Sequence, residues 1–409
     1  MDRPTRRAIL GSLAAGTLAG TAGCLQVFSE DASGPQSDGE SWNTVSPAPF
    51  TAVATSRSPV VTLGGSDRPD SFGQVVATTG DTVFVGVPLA APDGVNRAGT
   101  VAVFEQLGTG WKQTATLTGR KDERDYFGGQ LAASGSTLLV GNEYNYSGTS
   151  RIPVSVFERS NGDGWQLTTM ITEPVYVESM AVDGDTAVLK TVDSDGLVDV
   201  VERDSGEWGR RQTLSVDNQD DGRIVKSVAT DGETILVGAP PKAGTKRRRA
   251  RSGAVHVFER SSGTWGHRTT LSGATGTDHF GWSVSVADRR ALIGDYINDT
   301  AYVFTLSDGQ WSREQMYTAT SGNSSQYFGD TVALDSSTLL VGAPQTRVGD
   351  SVGTVYELDL PSSTNDPRGR YFTAPDTSEQ FGDVIATANG TTTVAGKRSG
   401  ERVVYIYEQ

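Results

Sequence analysis

An all-β fold, a seven-bladed β-propeller of four-stranded blades, is predicted by three features of this 409-residue chain. A large residue recurs at Phe72, Phe127, Tyr176, Ile224, Phe280, Phe328 and Phe381, in steps of 55, 49, 48, 56, 48 and 53 residues. That period suits a propeller blade. Each marker is followed 14 or 15 residues later by a strand-ending residue: Gly86, Gly141, Lys190, Gly238, Gly294, Gly342 and Gly396. The third feature is composition, since 49 glycines and modest apolar content suit many short strands joined by turns rather than long helices. A closed ring of blades is one body at any length, so the repetition overrides the several domains such a length would otherwise suggest.

In blade 1 the strand signals are 72–77, 82–86, 99–105 and 111–117. Short turns join the first two strands of successive blades: Thr79-Gly80-Asp81, Ser134-Gly135-Ser136, Asp183-Gly184-Asp185 and Asp231-Gly232-Glu233. Gly, Asp and Ser tolerate the backbone angles of a tight hairpin. The fourth strand carries a tryptophan six residues before a large residue, in the pairs Trp111 and Leu117, Trp165 and Ile171, Trp208 and Leu214, Trp265 and Leu271, and Trp311 and Tyr317. An even spacing puts both on one face of a strand, and their place in the repeat assigns them to packing between blades rather than to sugar stacking. The last repeat, after Phe381, Gly396 and the strand at 403–408, has no fourth strand of its own. Residues 60–63 precede Phe72 by the interval that separates Leu271 from Phe280, so the N-terminal segment is expected to complete blade 7. Such closure removes two sheet edges.

The runs Phe328-Gly329-Asp330-Thr331-Val332-Ala333, Leu339-Leu340-Val341-Gly342-Ala343-Pro344 and Gly353-Thr354-Val355-Tyr356 resemble the FG-GAP repeat of integrin-alpha-type propellers, as does Val237-Gly238-Ala239-Pro240. The resemblance covers about residues 46–409; Tyr176-Val177, Ile224-Val225 and Lys190 depart from it. It implies calcium in an acidic loop between the first two strands of a blade. Here those turns are too short and offer at most Asp183 with Asp185, or Asp231 with Glu233, whereas calcium takes six to eight oxygens. No metal and no cofactor is therefore expected, as in the metal-free FG-GAP variant of prokaryotic surface proteins.

Residues 1–24 read as a targeting segment. Arg6 and Arg7 resemble the pair of a twin-arginine export signal, and Thr21-Ala22-Gly23-Cys24 resembles a lipobox ending on the only cysteine, which excludes internal disulfides. Residues 25–45 have the composition of a flexible acidic tether. Cys24 is the expected lipidation site, placing the protein on the outer face of the cytoplasmic membrane. Net charge is −14; cleavage before Cys24 removes Asp2, Arg3, Arg6 and Arg7, a net +2, and leaves −16. With 28 Arg against 7 Lys, the acidic, lysine-poor chain resembles haloarchaeal surface proteins and disfavours nucleic acid as a partner.

No HExxH, CxxC, Gly-x-Ser-x-Gly or phosphate-loop motif occurs, so the protein is expected to be non-catalytic. The binding face is expected where loops 87–98, 142–151, 239–252 and 343–352 gather. Two of these loops stand out: the basic run Lys246, Arg247, Arg248, Arg249 and Arg251, and the pair Tyr144 and Tyr146. Sequons at Asn145, Asn298, Asn323 and Asn389 are possible glycan acceptors. The expected role is adhesion or protein/glycan binding by a monomeric propeller at the cell surface, its partner a surface protein or glycan. The alternatives are an enzyme acting on an envelope polysaccharide and an accessory subunit of a surface complex. Because the hairpin turns are too short to wrap a cation, a chelator should leave the thermal midpoint in concentrated salt unchanged; a drop of several degrees, restored by calcium and not by magnesium, would contradict this.

Overall fold

The computed structural model describes residues 51–408 apart from 56, 65–70, 109, 121–124, 143–152, 161–163, 173–176, 192–195, 217–222, 242–251, 275–278, 320–325, 350, 360–367, 377 and 399. Its strands form seven four-stranded antiparallel blades. Blade 1 comprises Val76–Thr78, Thr82–Val87, Thr100–Leu107 and Gly110–Thr118. Blades 2 to 5 repeat this order and begin with innermost strands Phe127–Ser134, Val177–Asp183, Ser227–Thr230 and Ser283–Ala287. Blade 6 comprises Thr331–Leu334, Leu339–Val348, Ser351–Leu358 and Arg368–Phe372. Blade 7 comprises Ser378–Ala388, Thr391–Arg398, Glu401–Glu408 and, from the N-terminal side, Val61–Gly64.

That last strand pairs as the sequence predicts, with Val61 opposite Ile406 and Leu63 opposite Val404. A contact that pattern reading missed lies just upstream. Thr51–Ala54 adds a parallel fifth strand to the outer edge of blade 6, against Arg368–Phe372. Between the two strands Arg57 donates to the Glu357 carboxylate at 3.2 Å and the Glu408 carbonyl at 3.3 Å. Its guanidinium also lies over the rings of Phe372 and Tyr407, so a 14-residue stretch straps blade 6 to blade 7.

The core is divided among the blade interfaces. Seven hydrophobic clusters each draw on two successive blades, and one of them joins Val404 and Ile406 of blade 7 to Phe72 and Val76 of blade 1. Innermost strands touch their neighbours in order around the ring, and that of blade 7 meets that of blade 1. The second strands are buried along almost their whole length because both faces are covered by neighbouring blades.

The marker residues require one correction. Phe72, Phe280 and Phe328 sit in turns before the innermost strand rather than within it. The glycine after each donates its N–H to the strand-ending glycine carbonyl: Gly73 to Gly86, Gly281 to Gly294, and Gly329 to Gly342, each at 3.1 Å. This bond accounts for the fixed lag. At Gly86, Gly238, Gly294 and Gly342 the strand-ending glycine also meets the next blade. A Cβ on Gly294 would lie 2.0 Å from the Gly329 carbonyl oxygen, and one on Gly238 would lie 2.2 Å from that of Gly281, so backbone rests on backbone. Ser283 and Ser227 donate their hydroxyls to those same carbonyls, at 2.9 and 3.0 Å. The departures from the pattern are adjacent: Lys190 ends the second strand of blade 3, and the following blade carries Ile224-Val225. Lys190 is buried, with its amine held by Glu178 at 3.0 Å and by the Thr191 carbonyl.

The tryptophans do not all enter the core. Trp165, Trp265 and Trp311 are buried, but Trp111 and Trp208 remain half-exposed. Three of the five, Trp111, Trp265 and Trp311, donate to a third-strand glutamate of the preceding blade: Glu408, Glu202 and Glu259. Arginines add to this ladder, in Arg159–Glu105, Arg203–Glu158 and Arg260–Glu202 at 3.0, 2.6 and 2.6 Å. Such half-exposed ion pairs each contribute little, so their main effect is to fix blade register.

The expected loop at 343–352 is a second correction, because it is largely a hairpin. Arg347 pairs with Val352 and Val348 with Ser351 around Gly349, which extends blade 6 beyond its neighbours.

Substituting Gly294 with Ala should destabilise the chain by about 2–3 kcal/mol, since overpacking against backbone has no side chain to yield. Gly266→Ala, where a Cβ meets nothing within 4 Å, should change stability by less than about 0.5 kcal/mol. Denaturant unfolding of both variants checks the contrast.

Candidate functional site

The seven innermost strands enclose an axial channel of about 560 Å³. Its wall mixes aliphatic side chains, such as Val76, Leu131, Met180, Val228, Val332 and Ile385, with exposed polar groups. One mouth is formed by the hairpin turns and holds Asp183, Asp231 and Asp335. Asp288 lies there too, and the other three carboxylates are engaged by the hairpin turns. Asp231 accepts the N–H groups of Glu233 and Thr234, Asp335 accepts those of Ser337 and Thr338, and Asp183 accepts the Ser134 hydroxyl of the preceding blade at 2.8 Å. Burial, reinforced by the charge of Asp183, pushes Asp231 above the usual carboxylate range.

The other mouth lies beside the Phe-Gly turns. In blades 3 to 6 one inner-strand residue pairs with the strand-ending position: Ser179 with Lys190, Ser227 with Gly238, Ser283 with Gly294, and Thr331 with Gly342. The residue just before it is Glu178, Lys226, Trp282 and Asp330 in blades 3 to 6, with Asp383 following in blade 7. Several of these side chains are linked. The Lys226 amine lies 4.9 Å from the Trp282 ring centre, and Trp282 Nε1 donates to Asp330 Oδ1 at 3.1 Å. Asp383 pairs with Arg402 at 3.3 Å, and Arg402 also donates to the Gly73 carbonyl of blade 1.

An aromatic cluster adjoins this arc. Ring centres lie 4.6 Å apart for Trp282 and Tyr296, 5.2 Å for His279 and Tyr296, and 5.3 Å for Tyr296 and Tyr327. Tyr327 and Ile297 are exposed beside it. Asp295 occupies the position that is alanine at Ala239 and Ala343 in two other blades, and it is fully buried. Its Oδ2 accepts the Asn298 amide at 2.9 Å, while its Oδ1, His279 Nδ1 and Asp383 Oδ1 have no hydrogen-bond partner. Burial raises the pKa of Asp295 and of Asp330, against the Trp282 hydrogen bond and the Lys226 charge in the latter case. Burial likewise pushes Asp383 up to about 6, opposed by Arg402 and Lys397. Aromatic faces, an amine, a guanidinium and under-satisfied acceptors thus share one mouth. That mixture suits recognition of a polar surface group. Among the described residues no group of three or more His, Cys, Asp or Glu side chains could hold a metal.

The sequence-selected residues fare unevenly. Lys246, Arg247, Arg248, Arg249, Arg251, Tyr144, Tyr146, Asn145 and Asn323 lie outside the described residues, as do Arg6, Arg7 and Cys24. The stems of the basic loop are described, and they sit by the Phe-Gly turn position of blade 4: Ile224 N–H donates to the Pro240 carbonyl, and Arg223 Nε to the Ser252 carbonyl. Asn298 is exposed, with its amide on Asp295. Asn389 is exposed too, but its amide bridges to the Thr79 carbonyl at 3.1 Å and so ties blade 7 to blade 1. The arc from Lys226 to Asp383 escaped sequence reading. Its signal is present in the residues flanking each Phe-Gly: His279 and Trp282, Tyr327 and Asp330, and Asp383.

The FG-GAP repeat family model matches residues 311–358, from the outer strand of blade 5 to the third strand of blade 6. No curated protein matches the chain significantly. Solved structures do match. That of U3-55K aligns with a TM-score of 0.59 at 10% identity, covering 87% of this chain and 100% of that one. The WD40 repeats of RRP9 align with a TM-score of 0.56 at 10% identity, covering 88% and 99%. A chain in a crystal structure of the mitotic checkpoint complex aligns with a TM-score of 0.55 at 11% identity, covering 94% and 99%. What is shared at such identities is the propeller fold. A β-propeller carrying an FG-GAP repeat is an architecture for binding or scaffolding.

The folded chain holds the Asp383 proton up to about pH 6, whereas an ordinary carboxyl loses it near 3.8. Between those values the folded state binds more protons, so this group's contribution to stability falls as pH rises from about 4 to 6 and is level above. Comparing wild type with Asp383→Asn by denaturant unfolding should show a difference that shifts by about 3 kcal/mol across that window. A pH-independent difference would contradict the buried carboxyl.

Proposed function

We propose that this protein is a non-catalytic surface scaffold, exported and anchored through Cys24, whose propeller presents its Phe-Gly face for adhesion or assembly with a surface protein or glycan. The observation that carries the reading is the gathering of Lys226, Trp282, Asp330 and Asp383 with Tyr296 and Tyr327 at one mouth, on the side where the stems of the basic loop lie. At the opposite mouth Asp231 and Asp335 are engaged in holding hairpin turns.

Mixed aromatic and charged surface of this kind gives affinity through a few ring contacts and specificity through paired polar groups. The composition of residues 25–45 suits an acidic tether between the propeller and an anchor at Cys24. Affinity capture from native membranes in high salt, with wild type and with Trp282→Ala/Tyr327→Ala as bait, tests the face. The reading expects partners retained by wild type and reduced about tenfold or more by the double variant, on the scale of a lost aromatic hot spot. Equal recovery by both baits would place binding elsewhere. Cys24→Ser should release the protein from the membrane fraction or block its maturation; unchanged fractionation would refute the anchor.

A further inference from the structure

The cations of the Phe-Gly arc are not equivalent. Lys190 is buried and neutralised by Glu178 at 3.0 Å, and Arg402 is paired with Asp383 at 3.3 Å. Lys226 is exposed. Its backbone N–H is tied to the Gly238 carbonyl at 2.9 Å, and its ammonium lies 4.9 Å from the centre of the Trp282 ring. Among the described residues no hydrogen bond or ion pair takes that ammonium, and Asp330 acts on it only through longer-range charge. Its three N–H donors are therefore open to a ligand. The ring beneath it is pinned, because Trp282 Nε1 donates to Asp330 Oδ1 at 3.1 Å and Tyr296 packs against the indole at 4.6 Å. A fixed ring face holds a cation without neutralising it.

The aromatic run continues from Tyr296 to Tyr327, at 5.3 Å. Tyr327 is exposed and has a φ of 58°, a left-handed conformation that a bulky residue rarely adopts. Asp299 Oδ1 holds the turn by accepting the N–H groups on either side, from Gln326 and Phe328, each at 2.9 Å. Gln326 is itself buried, and its Oε1 accepts the Thr346 hydroxyl at 2.9 Å. Strain stabilised in this way marks a side chain whose exposure has a use. An open ammonium on blade 4 and an exposed ring on blade 6 are thus joined through Trp282 and Tyr296 of blade 5.

Given the Phe-Gly mouth as the binding face, we infer that its ligand is a carboxylate-bearing sugar chain, with a uronate carboxylate on the Lys226 ammonium and the apolar face of a further sugar ring on Tyr327. The array is extended, which suits a polymer rather than a single small anion. An acidic peptide would satisfy Lys226 but brings no flat ring face for Tyr327. With a net charge of −14 the chain repels a polyanion elsewhere, so the contact is confined to this cation and gains a fixed register.

Calorimetric titration of the full chain with trigalacturonate, at the lowest salt in which it stays folded, tests the assignment, since concentrated salt screens the charged contact. Saturable one-to-one binding is expected, with the methyl ester of the same trimer, which keeps the rings and lacks the charge, about tenfold weaker. Hexaglutamate, which has the charge and no sugar ring, should bind no better than the ester. Lys226→Met keeps an apolar stem over Trp282 and should lower trigalacturonate to the affinity of the ester while leaving the ester unchanged. Tyr327→Ala should weaken both sugars by about tenfold. Absence of saturable binding at millimolar trigalacturonate, equal affinity for the ester, or undiminished binding by either variant would each overturn the assignment. Tighter binding of hexaglutamate would overturn it in favour of an acidic protein. If any of these occurs while the Trp282→Ala/Tyr327→Ala bait still loses its partners, the face stands and the ligand class falls.

Discussion

The fold depends on backbone meeting backbone at four blade interfaces, those of Gly86, Gly238, Gly294 and Gly342. The carbonyl of a Phe-Gly turn approaches the end of the preceding blade's second strand so closely that no Cβ fits, as at Gly238 against Gly281 and Gly294 against Gly329. Only glycine permits that distance, and the distance sets how tightly neighbouring sheets pack. Each blade buries its apolar faces against its neighbours, so no blade has a complete core of its own. The glycine contact, the serine hydroxyls that cap the same carbonyls, and the glutamate ladder at the periphery hold one interface at three radii.

The same geometry generates the candidate site. A tight turn at each Phe-Gly fixes the flanking residues at one mouth of the channel, so the repeat acts as a frame whose variable positions face outward together. Where those positions carry Lys226, Trp282, Asp330 and Asp383, a polar aromatic surface results. Blade 3 shows the converse. Lys190 stands in place of glycine and its amine is neutralised by Glu178, while farther out the interface with blade 2 retains an unfilled cavity.

Much of this was legible in the sequence, because the features that specify the ring are local and repeated. The lag between Phe280 and Gly294 reflects one hydrogen bond from Gly281, and the interval before Phe72 announced the strand at Val61–Gly64. The fifth strand at Thr51–Ala54 was not legible, since its pairing is parallel, four residues long and outside the period. The mouth residues were missed for another reason. Phe and Gly dominate the pattern as the recurring part of five of the seven repeats, whereas Trp282 and Asp330 acquire meaning only when neighbouring blades bring them within 3.1 Å. The half-exposed state of Trp208 likewise depends on which partner claims Glu158, a choice between side chains that spacing does not encode.

If the ring is a single cooperative body, its closure must be felt by every blade. Residues 51–64 complete blade 7 and strap it to blade 6, so a chain lacking them opens one interface of the ring. Hydrogen exchange of the second-strand amides in the intact and truncated chains tests this directly. The account predicts that protection falls in all seven second strands together, including those of blades 3 and 4, opposite the closure. Loss of protection confined to blades 6 and 7, with the rest unchanged, would show that the blades are stabilised locally and would contradict it.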